Sequence, residues 1–150
     1  LGLSDTVLVF PEHLVFIEPQ AQAEATPQDV DADRASRIRS HVATRAAACE
    51  RWLPLWRVVM INQARLSQLR DRLKVMREVV LARIKLMYAP ELALLSDEER
   101  RDALIILESL IDFESWGRMR EHHGLSEEDA RAVWIGAIDR ILPVAPVVAA

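Results

Sequence analysis

The chain has 150 residues, 51% of them hydrophobic, a formal charge of −4, four glycines and one cysteine. That length suits one domain with a real core, and that apolar content excludes a disordered tail. Cys49 alone excludes an intramolecular disulfide and a cysteine-built zinc site, and no run of about 18 uninterrupted apolar residues offers a membrane span. Alanine, leucine, arginine and glutamate dominate, which favours an all-α chain. Cysteine usage fits the cytoplasm. The opening "LGLSDT" has no basic region ahead of an apolar one and is not a secretory signal. It also lacks an initiating methionine, so a longer parent protein is expected.

The charge is segregated. Residues 1–32 carry six acids and no Lys or Arg, whereas residues 33–88 carry thirteen basic groups against four acids, a balance of +9. Residues 96–142 carry twelve acids against six basic groups, a balance of −6. Such a basic middle either faces nucleic acid, through Arg34, Arg37 and Arg45, or packs beside the acidic last third.

Along the chain, "SDTVLVFPEHLVFIEP" is apolar and broken by Pro11 and Pro19; Ser4 or Asp5 is a candidate helix cap, and valines give it strand-like content. Residues 19–29, with two prolines and little to bury, read as a loop, so 1–30 form an N-terminal linking segment. From Asp31 or Asp33 a helix is signalled by Ala35, Ile38, Val42, Ala46, Cys49 and Leu53, with Arg34, Arg37, His41 and Arg45 on another face. Pro54 is expected to end or kink it. "LWRVVMINQARL", 55–66, is apolar on more than one side and is expected deep in the domain. Ser67 is a candidate cap for the next helix, whose stripe is Leu69, Leu73, Met76, Val80, Ile84 and Met87, closed by Pro90.

"SDEE", 96–99, is a capping box, with Ser96 at the cap and Glu99 three residues on. The helix it opens is expected to run to His122 or His123, about 39 Å at 1.5 Å per residue. Gly124 then reads as a stop in the left-handed conformation, and Ser126 as the cap of a last helix whose first turn holds Glu127, Glu128 and Asp129. Adjacent histidines on a helix point about 100° apart, so His122 and His123 do not chelate one ion, and no metal is expected. A recognition helix for DNA would not open on three acids, so this hairpin is not a DNA reader. No motif organises a nucleophile or a phosphate loop, so neither an enzyme nor a cofactor is expected. Residues 143–150 form a tail.

The last two helices carry apolar residues on two sides. Ile106, Leu110, Phe113 and Gly117 lie on the first, and Ala132, Ile135 and Gly136 form a small-residue strip on the second. A surface helix needs one apolar face, so a second chain is expected over the other, giving a homodimer whose interface uses these seven residues.

Residues 88–142, with Tyr88-x-Pro90-x-Leu92, the capped acidic helix, Trp116-x-x-Met119-Arg120 and Gly124-Leu125-Ser126, resemble the C-terminal domain of tetracycline-repressor (TetR) family transcriptional regulators. Residues 45–73 also resemble the middle helices of that domain. The resemblance implies an antiparallel bundle of five to six helices spanning 31–142, with the last two pairing with their copies as a dimeric four-helix bundle. It implies a repressor that senses a small apolar or aromatic effector and touches DNA only through an N-terminal helix-turn-helix head, absent from these 150 residues. Position on the middle helices makes Trp56, Met60, Asn62, Met76, Val80 and Phe113 the candidate effector contacts, with Gln63 and His41 as further polar anchors. The alternative is a helical protein-interaction module with no small-molecule ligand.

Overall fold

The structure, a computed structural model, describes residues 30–62 and 67–145; the expectations for 1–29, for the end of the tail and for the Asn62 and Gln63 side chains lie outside it. Among the described residues there are six α-helices, one π-helical turn and no strand. In chain order these are α1 (Arg34–Asn62), α2 (Ser67–Met87), α3 (Ala89–Leu92), α4 (Asp97–Leu110), α5 (Phe113–Gly117), the π turn (Arg118–His122) and α6 (Glu127–Ile141). The all-α helical bundle follows as expected.

Helix α1 starts because the Asp33 carboxylate accepts from the Ser36 amide (3.0 Å) and hydroxyl (2.7 Å). Those bonds hold the Asp33 carboxyl below its ordinary pKa. The helix does not end at Pro54 but runs through it to Asn62. Proline costs the carbonyl four residues back its amide partner, and Glu50 lies on the exposed side of α1, where water can solvate that carbonyl. Ile38, Val42, Ala46, Cys49, Leu53, Trp56 and Val59 are buried along one face, so α1 is the spine of the domain. It packs against α2, α5 and α6, while α2 packs against α4 and α4 against α6. Ala35 is exposed instead of joining the stripe. The apolar run after Pro54 is also only half buried, for Val58 and Ile61 face out.

The basic face of α1 is the larger correction, because Arg37, His41 and Arg45 are buried. Arg37 donates through both Nη atoms to the Glu91 carboxylate (2.9 and 2.6 Å) and also to the Met87 carbonyl. Burial is the largest single influence and works against the Glu91 charge, but the Arg37 bonds, a backbone hydrogen bond and the charges of Arg37 and Arg34 together hold that carboxyl below its usual range. His41 Nδ1 and the Tyr88 hydroxyl share a 2.7 Å hydrogen bond. Arg34 donates to the carbonyls of Asp139, Leu142 and Pro143, closing the C-terminal end of α6. Arg57 pairs with Glu121 at 2.8 Å and Glu114 at 3.8 Å. Thus the basic middle lies against acids of the last third, and Arg34, Arg37 and Arg45 are engaged within the domain rather than offered to nucleic acid.

The capping box at Ser96 is present: its hydroxyl accepts from the Glu99 amide and its own amide donates to the Glu99 carboxylate. Gly124 takes φ +63° and ends the preceding turn, where only glycine avoids a steric cost. The Ser126 hydroxyl caps α6 through the Asp129 amide, as expected. The long helix expected to reach residue 122 or 123 is broken instead. Its last α-turn closes at Leu110, and Asp112 recaps the chain by accepting from the Ser115 amide at 2.7 Å. The break turns the next segment inward. Trp116 and Trp134 are wholly buried against each other with ring centroids 4.8 Å apart, and the Trp116 indole donates to Glu50 at 2.7 Å. Glu50 also accepts two bonds from Arg120, and the Arg120 and Trp116 bonds hold its carboxyl below the usual range against the opposing effect of burial. A Cβ on Gly117 would lie 2.7 Å from Arg57 Nη2 and 3.0 Å from Leu53, so glycine lets α5 press onto α1.

Candidate ligand-binding cavity

The second half of α1, the middle of α2 and the α4–α5 break line a partly open cavity of about 310 Å³. Trp56 comes from α1, Met76 and Val80 from α2, and Phe113 from the first position of α5. Their spacing along each helix turns them to a common side, and the Trp56 and Phe113 rings stack with centroids 4.9 Å apart and 17° between planes. The polar part of the lining is Arg45, Arg77, Glu108, Ser109 and Asp112. The volume stands at the lower end of small-molecule sites, and the lining is more polar than is usual for them, with five polar residues beside four apolar ones.

Two features of the lining are held in place by the fold. Arg45 Nε donates to the Ile111 carbonyl at 2.8 Å, and its guanidinium sits 4.8 Å from the Phe113 ring centroid. It therefore clamps the chain at the break and covers one face of Phe113. Asp112 spends one carboxylate oxygen on the Ser115 amide. By contrast, the Trp56 Nε1–H is buried and has no hydrogen-bond partner among the described residues. Glu108 and Asp112 line the same cavity yet do not reach it. A buried donor left unpaired costs about 1–3 kcal/mol, so such a group calls for an explanation.

Four of the six candidate effector contacts, Trp56, Met76, Val80 and Phe113, are thus brought together around one space. Met60 is half-buried and packs against the core outside the cavity lining. His41 belongs to the Tyr88 contact: burial, with Arg83 and Arg45 adding to it, lowers its pKa to about 3 and keeps it neutral. Burial also pushes the Tyr88 hydroxyl up. The sequence reading missed Arg45, Arg77, Glu108, Ser109 and Asp112. Helical geometry signalled the first, since residues 45 and 56 differ by only about 20° around a helix.

On the outer side of α4 and α5 runs a second, open groove of about 600 Å³, whose lining includes Ile105, Ile106, Leu110, Arg118, Met119 and His123. Ile105 and Ile106 are 57% and 50% exposed, and Val133 on α6 is 48% exposed, so α4 and α6 carry apolar side chains that the described residues leave uncovered. Among the expected interface residues, Ile106 and Ala132 are exposed while Leu110, Ile135 and Gly136 are half-buried. Phe113 and Gly117 do not belong to that outer surface. The break at Ile111–Asp112 rotates them inward, Phe113 onto Trp56 and Gly117 onto Leu53. Ser109 and Asp112 line both the cavity and the outer groove.

Among the described residues no group of three or more His, Cys, Asp or Glu is placed to hold a metal ion, and no helix is long and apolar enough to cross a membrane. In comparisons with known proteins, no family model matches the chain, and no curated protein or solved structure matches it either.

Proposed function

We propose that this chain is the ligand-sensing and dimerisation domain of a TetR-like one-component transcriptional regulator, a repressor whose DNA-binding helix-turn-helix lies outside these 150 residues. The observation that carries the reading is the cavity itself, lined by the stacked Trp56 and Phe113 together with Met76 and Val80. The uncovered Ile105, Ile106 and Val133 support a second copy of the chain as the partner of α4 and α6. Ser109 and Asp112 give the two surfaces a shared wall. A ligand that fits the cavity better in one arrangement of the break biases the arrangement of the outer face, which is what a sensor requires.

Thermal-shift screening with small neutral aromatic molecules tests the sensor half, because a ligand selective for the folded state raises the melting temperature. Sedimentation tests the dimer half: the chain runs at twice its own mass, and Gly136→Arg, which places a charge on α6, shifts it to monomer. A well-folded monomer at micromolar concentration rejects the dimer. The alternative, a helical interaction module without a ligand, is favoured only by the open groove, and it predicts a dimer or complex with no ligand among the screened compounds.

A further inference from the structure

Helix α2 has two apolar faces, and the described fold buries one of them. Leu73, Met76, Val80, Ile84 and Met87 are buried. Val75, Val79, Ala82 and Leu86 keep the same helical period on a face about 130° away from that stripe. There Val75 is 52% exposed and Leu86 49%, Ala82 is exposed and Val79 half-buried. Single exposed apolar residues are ordinary, but four in register make a continuous strip about 16 Å long, which marks a contact surface. A second copy of α2 suits this strip poorly. Among the described residues the exposed charges of α2 are Arg70, Lys74, Arg77 and Lys85 against Asp71 and Glu78, four positive to two negative, and like faces repel.

The chain itself supplies a complementary segment. Residues 1–32 carry six acids and no Lys or Arg, and their apolar content gathers in VLVF, 7–10, and LVFI, 14–17. The geometry also brings that segment to the strip. Arg37 donates from Nε to the Ala32 carbonyl at 3.0 Å and from Nη1 to the Met87 carbonyl, so the chain enters the domain beside the C-terminal end of α2. Residues 19–29 reach at most about 40 Å when extended, more than the strip requires. We propose that residues 4–18 of this chain dock along the outer face of α2, their apolar side chains on Val75, Val79, Ala82 and Leu86 and their acids toward its basic side chains. Tethering raises the effective concentration of the segment, so a modest apolar area suffices. The inference stands apart from the ligand reading of the cavity and from the α4–α6 face. It gives α2 a double role, since Met76 and Val80, next in sequence to Val75 and Val79, line the cavity.

The test uses the full chain with labelled valine and leucine methyls, read by nuclear Overhauser contacts from the Phe10 and Phe16 rings. The expected result is contacts from those rings to the Val75 and Leu86 methyls, unchanged on dilution and absent between differently labelled chains. Contacts found only between chains assign the strip to a second copy and overturn the proposal. No contact from either ring to the strip overturns it as well. A paired substitution, Val75→Glu with Leu86→Glu, removes apolar surface and repels the acids of the segment while leaving the buried stripe intact. Chymotrypsin cleavage after Phe10 or Phe16 is then expected to be about ten-fold faster than in the unaltered chain, because the docked segment is shielded and the released one is not. An unchanged cleavage rate counts against the docking. Should the paired variant not fold, the ring-to-methyl contacts of the unaltered chain decide alone.

Discussion

Around Arg37 and His41, in the first half of α1, the buried polar side chains meet their partners: Glu91 and the Met87 carbonyl for the arginine, the Tyr88 hydroxyl for the imidazole. Around Trp56, in the second half of the same helix, a space of about 310 Å³ opens beside the residue, and its buried indole N–H meets no partner among the described residues. The first region is closed. Its polar groups fix how α1 sits against the α2–α3 corner, and nothing is left for another molecule to satisfy. The second forgoes packing around Trp56 and a hydrogen bond at its indole. The difference is one of packing: the first region is filled by its own polar pairs and the second is left open.

The largest expected effect comes from breaking the closed region. Arg37→Ala leaves Glu91 buried without its counter-charge and is expected to cost about 3–5 kcal/mol in urea denaturation. Replacing both partners, Arg37→Met with Glu91→Leu, is expected to recover most of that loss, since the penalty belongs to the lone charge and not to the absence of the pair. An Arg37→Ala loss below about 1 kcal/mol would place the pair in solvent and erase the contrast.

A smaller effect reads His41. Its folded-state pKa is lowered from 6.5 to about 3, mainly by burial, so between those values the unfolded chain binds a proton that the folded chain refuses. Stability is therefore full well above pH 6.5 and falls as the pH drops through that value toward 3, by roughly 1 kcal/mol between pH 7.5 and 5.5. Glu91 and Glu50 also have lowered values, but their contribution is lost only as the pH falls below the ordinary carboxylate range, so this window isolates the imidazole. His41→Gln should flatten the profile across it. A profile already flat in the unaltered chain contradicts a buried neutral His41.

Local chemistry made much of this architecture readable in advance. The Ser96–Glu99 capping box, the Gly124 stop and the Ser126 cap each depend on neighbours a few residues away, so their signals are complete within the sequence. The stripe Leu73, Met76, Val80, Ile84 and Met87 is buried for the same reason of period. The fate of the Arg37 face was not readable, because burying a guanidinium depends on Glu91, which lies 54 residues away and announces no pairing. The helix break was hidden by apolar residues continuing across it. Its one local sign is Asp112 three residues before Ser115, a capping spacing inside a stretch that otherwise reads as unbroken helix. Part of the site followed that pattern: the four large apolar members were found from their helical positions, whereas Asp112 lines the cavity from the interruption after Leu110, which the sequence hid.

Filling the space tests the contrast at its centre. Val80→Phe adds volume where the structure has a void, and thermal denaturation of this variant with and without 2-acetylnaphthalene, one of the small neutral aromatic molecules of the thermal-shift screen, reports both sides of the claim. The account predicts stability within about 1 kcal/mol of the unaltered chain, or above it, together with loss of the probe-induced rise in melting temperature. Destabilisation by about 1–3 kcal/mol, as expected for a side chain forced into a filled core, or an undiminished response to the probe, would contradict it.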